Sequence, residues 1–327
     1  MQCIMRGYSK GVRAEPDPQL DLQSIRIVRA IAETGSITAA ARLLGYSQPA
    51  VSQHLQRTEA RLALPLVTRV GRSVRLTDAG QLLARHAIAI ASALDAAAGD
   101  LADLAGLRTG SVRIAAFPTA SSTIVPRLLH ELAERHPGIS ASYVEAQPPE
   151  AVALLREGKV DVAITFSYPG DRTDPHRDSA SGLAMRPLFD EETVVVLPAS
   201  HALASAERVD VRELSDETWI AGCPRCRGHL LALCEVAGYE PRITLETDNA
   251  SAVLQLVASG LGVAMLPRLA LAAAVVPAGA IIRPHDPASV RTIHVLTTDG
   301  AARVPSLTAT IGALESMPGA DWGLTHR

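Results

Sequence analysis

The most constraining stretch of this 327-residue chain is Gly35–Arg57, GSITAAARLLGYSQPAVSQHLQR. It reads as two short helices joined by a tight turn. Ile37, Ala40, Ala41 and Leu44 fall at i, i+3, i+4 and i+7, which makes one apolar face. Ser36 stands at an N-cap position, Gly45 ends the first helix and Ser47 caps the second. Pro49 is tolerated in a first turn, where backbone N–H groups lack helical partners anyway. In the second helix Val51, Leu55 and Leu62 point inward, with Thr58 on the same stripe. The opposite face carries Gln48, Ser52, Gln53 and Arg57. Short polar groups plus a cation are the composition of a helix that reads base edges in a DNA major groove. An ordinary hairpin with a solvated face shares that pattern, so the flanking residues decide.

Leu64-Pro65-Leu66-Val67-Thr68-Arg69 and Gly71-Arg72-Ser73-Val74-Arg75-Leu76-Thr77-Asp78-Ala79-Gly80 follow. With Gly-Ser, Ala-Ala-Arg-Leu-Leu and Ser-Gln-Pro-Ala-Val-Ser before them, they resemble the winged head of LysR-type transcriptional regulators. The resemblance extends over roughly residues 20 to 318. Val28 and Val67 stand where that family commonly has Phe, and Thr58 where it has Leu. It implies double-stranded DNA as a partner, with Ser36, Ser47, Gln48, Pro49, Ser52, Gln53 and Arg57 at the interface and Arg69 and Arg72 of the wing on phosphates.

Charge agrees with a nucleic-acid-binding head. Residues 1–80 hold 11 Lys+Arg against 6 Asp+Glu, whereas the remainder holds 20 against 28. Apolar residues make up 47% of the chain, ample for buried cores. No apolar run is long enough to span a bilayer, and the basic N-terminus lacks the apolar core of a secretory signal. The expectation is a cytoplasmic protein with no membrane contact. Four cysteines in this length are not a disulfide scaffold.

The expected fold class is a multidomain α+β chain. Residues 1–19 read as a flexible extension and 20–80 as the winged helix-turn-helix head, mainly α. The first helix, about Leu20–Thr34, turns Leu22, Ile25, Val28 and Ala32 inward. Residues 81–107 form a long linker helix. On it Leu83, Ala87, Ile90, Leu94, Ala97, Leu101 and Leu104 keep a 4-3 spacing, the seam of a self-pairing helix. A homodimer suits a reader of half-sites, and the family resemblance implies a homotetramer. Beyond it, strands alternate with helices, which predicts βαβ units and parallel sheets. Two chain crossings divide this part into one lobe of 111–187 and 284–318 and a second of 188–283. A flexible tail, 319–327, follows. The resemblance implies a periplasmic-binding-protein-like effector domain here.

Ligands in open α/β sheets bind beyond the carboxyl ends of strands. That places a small-molecule effector near Thr119, Ser121, Ser122, Thr165, Phe166 and Asn249. Val263 joins them through a Gly-rich turn, Gly260–Pro267, that resembles the family's turn beside the pocket. Helix capping accounts for the same hydroxyls.

The segment Cys223-Pro-Arg-Cys226-Arg-Gly-His229, with Cys234 beyond it, leaves three readings open. Cys223, Cys226, His229 and Cys234 offer a tetrahedral set for zinc, the one cofactor suggested. Arginines beside Cys226 favour its thiolate, and Cys226-Arg227 and Cys234-Glu-Val-Ala-Gly238 resemble the peroxide-sensing branch of the LysR family. That implies a redox pair of Cys226 and Cys234, spaced one residue shorter than in the branch and with Cys223 as an addition. Thirdly, the thiols line a pocket where Arg227 meets an anionic effector. Catalysis is not expected: no Walker sequence, nucleotide-binding Gly-rich loop or His-Glu-x-x-His motif occurs. The remote alternative is a dithiol oxidoreductase.

Overall fold

A computed structural model describes residues 20–70, 73–104, 110–169, 183–286 and 288–327. The expected extension 1–19 and Arg72 lie outside these residues. The chain divides into two compact units, 1–91 and 92–327.

The first unit holds α1 (Leu22–Thr34), α2 (Ile37–Leu44), α3 (Gln48–Leu62) and a two-stranded wing, β1 (Val67–Val70) and β2 (Ser73–Leu76). Gly35 and Gly45 end α1 and α2 at φ +62° and +72°, a left-handed conformation that costs glycine little. Its core joins Ile25, Ile27, Val28 and Ile31 to Ala40, Val51, Leu55 and Leu66. The expected inward face of α1 needs correction. Leu22 and Ala32 are exposed, whereas Ile27, Ala30 and Ile31 are buried. Both hairpin helices and the wing pack on α1, so it buries a wider stripe than one heptad face. Thr58 is buried and shares a 2.7 Å hydrogen bond with Ser24, so a polar pair fills a site where the family carries an apolar residue.

α4 (Asp78–Leu104) begins in this unit. At Gly80 a Cβ would lie 2.1 Å from the Leu66 carbonyl oxygen, so only glycine lets the helix start against the wing. The seam on α4 divides in two. Leu83 and Ala87 are buried in the head's own core and Ile90 packs against it. Leu94, Ala97 and Leu101 are exposed.

In the second unit, β3 (Gly110–Ala116), α5 (Pro118–Ser121), α6 (Ile124–Arg135), β4 (Ile139–Glu145), α7 (Pro148–Arg156) and β5 (Val162–Ser167) begin the first lobe. α5 and α6 are separated by a break at Ser122 and Thr123. β6 (Leu183–Pro198) is followed by β7 (Val209–Asp210), β8 (Thr218–Ala221), α8 (Pro224–Ala237), β9 (Arg242–Glu246), α9 (Ala250–Ala258), β10 (Val263–Pro267), α10 (Arg268–Ala272), β11 (Ala280–Arg283) and β12 (His285–Asp286). β13 (Val290–Thr298), α11 (Pro305–Ser316) and β14 (Leu324–His326) return the chain to the first lobe.

The strands run in the order β4-β3-β5-β13-β6-β10-β8-β9, with β11 and β14 also on β6. The sheets are mixed, not parallel as predicted: β13 is antiparallel to β5 and β6, and β10 to β6. The chain changes lobes in the middle of β6. Leu183–Glu192 pair with β13, and Thr193–Val196 pair with β10. The expected flexible tail is instead a docked strand. Leu324 is buried, β14 pairs with Phe189–Glu191, and His326 packs on Phe189 at 4.6 Å. Burying one leucine is worth about 1.5–3 kcal/mol, enough to order a short segment that also gains ladder bonds.

Candidate functional site

On the head, capping sets the angle of α3. Ser47 Oγ accepts from the Ala50 N–H and Ser36 Oγ from the Ala39 N–H. Gln48, Pro49, Gln53 and Arg57 are exposed and Ser52 half-buried, all on the side away from Val51 and Leu55. Gln48 Nε2 donates to Ser52 Oγ at 2.8 Å, which aligns two readers one turn apart. Arg69 lies on β1, and its side chain is outside those described. Asp21, the N-cap of α1, accepts from Arg61 at 2.7 Å and meets His54 at 3.2 Å. Burial pushes its carboxyl up, but hydrogen bonds from Arg61 and Ser24 win and hold it well below the usual carboxylate range. An Arg61–Asp21 ion pair thereby ties α3 to α1 at the end opposite Gln48.

In the second unit a cleft of about 460 Å³, part of it open to solvent, lies at the junction of the lobes. Phe117, Thr119 and Phe166 wall it from the first lobe, and Cys223, Asp248 and Met265 from the second. Phe117 and Phe166 meet edge to face at 5.0 Å. The Arg291 guanidinium lies 4.3 Å from the Phe166 ring centre and 5.0 Å from that of Phe117. Its Nε donates to Glu191 Oε2 at 2.7 Å, and another N–H to Thr119 Oγ1 at 3.2 Å. Burial disfavours the Arg291 charge, but Glu191 together with Tyr168 and Cys226 offsets it and the pKa rises. Glu191 also accepts from the Leu269 N–H. This fully buried pair sits one residue from the lobe crossing in β6. Across the mouth, Gln147 of the first lobe donates to Asp248 of the second at 3.0 Å.

α8 begins at Pro224, so Cys223 is its N-cap and Cys226 lies in its first turn. The two Sγ atoms are 3.1 Å apart. At Gly222 a Cβ would stand 3.3 Å from the Cys226 Cβ, so the strand-to-helix turn needs a small residue there. The hydrogen bond shared with Cys226, stronger than the opposing effect of burial, brings the Cys223 thiol down to about 6. The same bond and burial push Cys226 up. Tyr168, beyond β5, donates to Cys226 Sγ at 3.7 Å and stacks on His229 at 3.9 Å. Burial lowers His229 to about 4, with a further push from His285.

The structure therefore brings Thr119 and Phe166 to the cleft and places the other expected effector residues elsewhere. Ser121 Oγ is buried and donates to the Ala116 carbonyl, Ser122 donates to that of Pro118, and Asn249 caps α9. Thr165 is fully buried, alternating along β5 away from Phe166, and Val263 is buried beside Trp219. Arg227 is exposed and pairs with Glu246 at 3.1 Å. The four metal candidates are not gathered. Cys234 is in the core around Trp219, Cys223 is in that around Phe117, and His229 is stacked on Tyr168. Among the described residues no cluster of three or more His, Cys, Asp or Glu is arranged to hold a metal. Glu191, Arg291 and Tyr168 were not anticipated. The one signal for the ion pair was a charge set inside each of two apolar runs, Phe-Asp-Glu-Glu-Thr-Val and Val-Arg-Thr-Ile.

An exposed polar reading face on a helix-turn-helix head, on the same chain as a two-lobed body with a cleft, defines a ligand-responsive DNA-binding regulator. Comparison narrows the class. Residues 22–81 match the family described as bacterial regulatory helix-turn-helix protein, lysR family, and residues 105–318 match the LysR substrate binding domain. The HTH-type transcriptional regulator TtuA of Agrobacterium vitis is 32% identical over 76% of this chain and 81% of its own length. A probable hydrogen peroxide-inducible genes activator of Mycobacterium avium is 33% identical over 77% of this chain and 79% of its own. A full-length OxyR variant from Pseudomonas aeruginosa superposes with a TM-score of 0.67 at 22% identity, covering 92% of this chain and 96% of that one, a likeness of fold. The chain belongs to the LysR family: it is a DNA-binding transcription regulator with a C-terminal effector-binding domain. No described helix is long and apolar enough to cross a membrane.

Proposed function

We propose that this regulator is a cytoplasmic protein whose inter-lobe cleft takes a small, largely apolar molecule with one hydrogen-bonding end. The lining carries this reading: Phe117, Phe166 and Met265 supply the walls, and Thr119 and Gln147 the polar contacts. A strongly anionic effector is not favoured, because Glu191 already neutralises Arg291 and Asp248 adds a carboxylate. Binding shifts the lobe equilibrium only if the ligand prefers one arrangement. A thermal-shift screen comparing neutral aromatic compounds with dicarboxylates tests the assignment, since a ligand that binds only the native state raises the melting temperature. Stabilisation that survives Thr119→Val and Phe166→Ala would exclude the cleft.

The chain assembles through the outer half of α4, where Leu94, Ala97 and Leu101 are exposed at seam spacing, giving a homodimer and, as a pair of dimers, a homotetramer. Leu94→Glu with Leu101→Glu sets like charges against each other and yields monomers by sedimentation; an unchanged assembly would place the interface elsewhere.

A second reading is thiol-based control, as the names of the mycobacterial relatives suggest. The observation favouring it is the approach of two sulfurs beside the cleft.

A further inference from the structure

We infer that Cys223 and Cys226 are a reversible dithiol–disulfide site, oxidised by a small hydroperoxide entering through the inter-lobe cleft and read by Tyr168. This rests on the thiol-control reading and replaces its expected pair, Cys226 with Cys234.

Geometry separates the two pairs. The Cys223 and Cys226 sulfurs, 3.1 Å apart, need to close by only about 1 Å to reach bonding distance. Cys226 and Cys234 are eight residues apart on one continuous helix, roughly 12 Å by helical rise, far beyond disulfide reach. Cys234 is also fully buried in a different core. A Cys226–Cys234 bond requires unwinding of α8, whereas a Cys223–Cys226 bond leaves the helix intact.

The surroundings suit the chemistry. Cys223 caps a fourteen-residue helix, where free N–H groups stabilise a thiolate, and Arg291 adds positive potential. Both cysteines line the cleft, whose wall is mostly apolar and which is partly open to solvent. The Cys223 thiolate attacks the distal oxygen of ROOH. The O–O bond breaks, ROH leaves with a proton from solvent, and Cys223 becomes a sulfenic acid. Cys226 then attacks that sulfur, the S–O bond breaks and water departs with the thiol proton. The dithiol has lost two hydrogens, and the hydroperoxide has been reduced to ROH and water. A reducing thiol reverses the change by exchange.

Closure also changes an interaction between lobes. Tyr168 belongs to the first lobe and donates to Cys226 Sγ of the second. Drawing Cys226 towards Cys223 weakens that bond, and of the two contacts only the stack on His229 then holds the Tyr168 ring to the second lobe. Oxidation is therefore felt where the lobes meet.

The test uses the full-length protein with Cys3→Ser, reduced, treated with chelator and given one equivalent of hydrogen peroxide or tert-butyl hydroperoxide. Peptide mapping without reductant should show a Cys223–Cys226 linkage with a loss of two hydrogens, while Cys234 remains alkylatable. Cys226→Ser should halt at a sulfenic acid on Cys223 that dimedone traps, and Cys234→Ser should still form the bond. Tyr168→Phe should form the disulfide but lose the oxidation-dependent change in DNA footprint; an unchanged response there would overturn the role of Tyr168. A Cys226–Cys234 linkage overturns the pair but keeps thiol control. No oxidised thiol with either peroxide overturns both.

Discussion

The head and the effector body use polar groups in opposite ways. On the head, Gln48, Gln53 and Arg57 stand in solvent, ready for a partner that arrives from outside. In the body, Glu191 and Arg291 are fully buried, paired with each other and roofed by Phe117 and Phe166. An exposed charge costs the fold almost nothing and is free for binding. A buried charge is tolerated only while its partner is present, so it holds geometry.

Glu191→Ala should expose the largest difference. It strands the Arg291 guanidinium in the junction and is expected to cost about 3–5 kcal/mol in denaturant unfolding of the body. Arg57→Ala should change stability by no more than about 0.5 kcal/mol while weakening DNA binding. Equal stability losses from the two variants would erase the contrast.

Acid titration comes next. His229 is held at about 4 against an ordinary 6.5, so below pH 6.5 the unfolded chain takes up a proton that the native state refuses. Stability is therefore intact above pH 6.5 and falls as pH drops towards 4, by about 3 kcal/mol at most. His229→Gln should flatten this limb in urea midpoints measured across that range. An unchanged slope would assign the acid sensitivity to other groups.

On the reading face, Gln48→Ala with Ser52→Ala should cost about 1–3 kcal/mol of discrimination for each bidentate hydrogen-bonded pair with a base that the change removes, with folding unaffected. Footprints indistinguishable from the wild type would move sequence reading off α3.

This contrast also explains what could be read from sequence. The hairpin is local: caps, periodicity and polar face all lie within Gly35–Arg57, and the observed helices begin at Ile37 and Gln48 beside the expected caps. The cleft is non-local. Glu191 and Arg291 are brought together by strands distant in the chain, and no spacing rule links them. Ser121, Ser122 and Asn249 are in the right neighbourhood, but backbone carbonyls and a helix terminus claim their side chains. The seam on α4 was visible as a period, yet periodicity cannot say which surface an apolar face meets. Its first half meets the head. The tail is short and largely polar, and only the edge offered by β6 makes it a strand.

The smallest expected effect tests whether the head, too, contains a polar device of the body's kind. Thr58 Oγ1 donates to the His54 carbonyl at 3.0 Å, so the 2.7 Å hydrogen bond with Ser24 has Ser24 as donor. Ser24 Oγ in turn accepts from His54 Nε2 at 2.9 Å. Three groups thus form a closed relay between α1 and α3. Thr58→Val leaves the buried Ser24 hydroxyl without its acceptor and should cost about 1–3 kcal/mol. Ser24→Ala leaves Thr58 its carbonyl acceptor and should cost about 0.5–1.5 kcal/mol. In the double variant the stranded donor is gone, so the losses should fall short of additivity by about 1 kcal/mol. Additivity within about 0.5 kcal/mol would mean the two hydroxyls act separately. The head would then owe its orientation to packing and to the Asp21–Arg61 pair, and buried polar coupling would be a property of the body only.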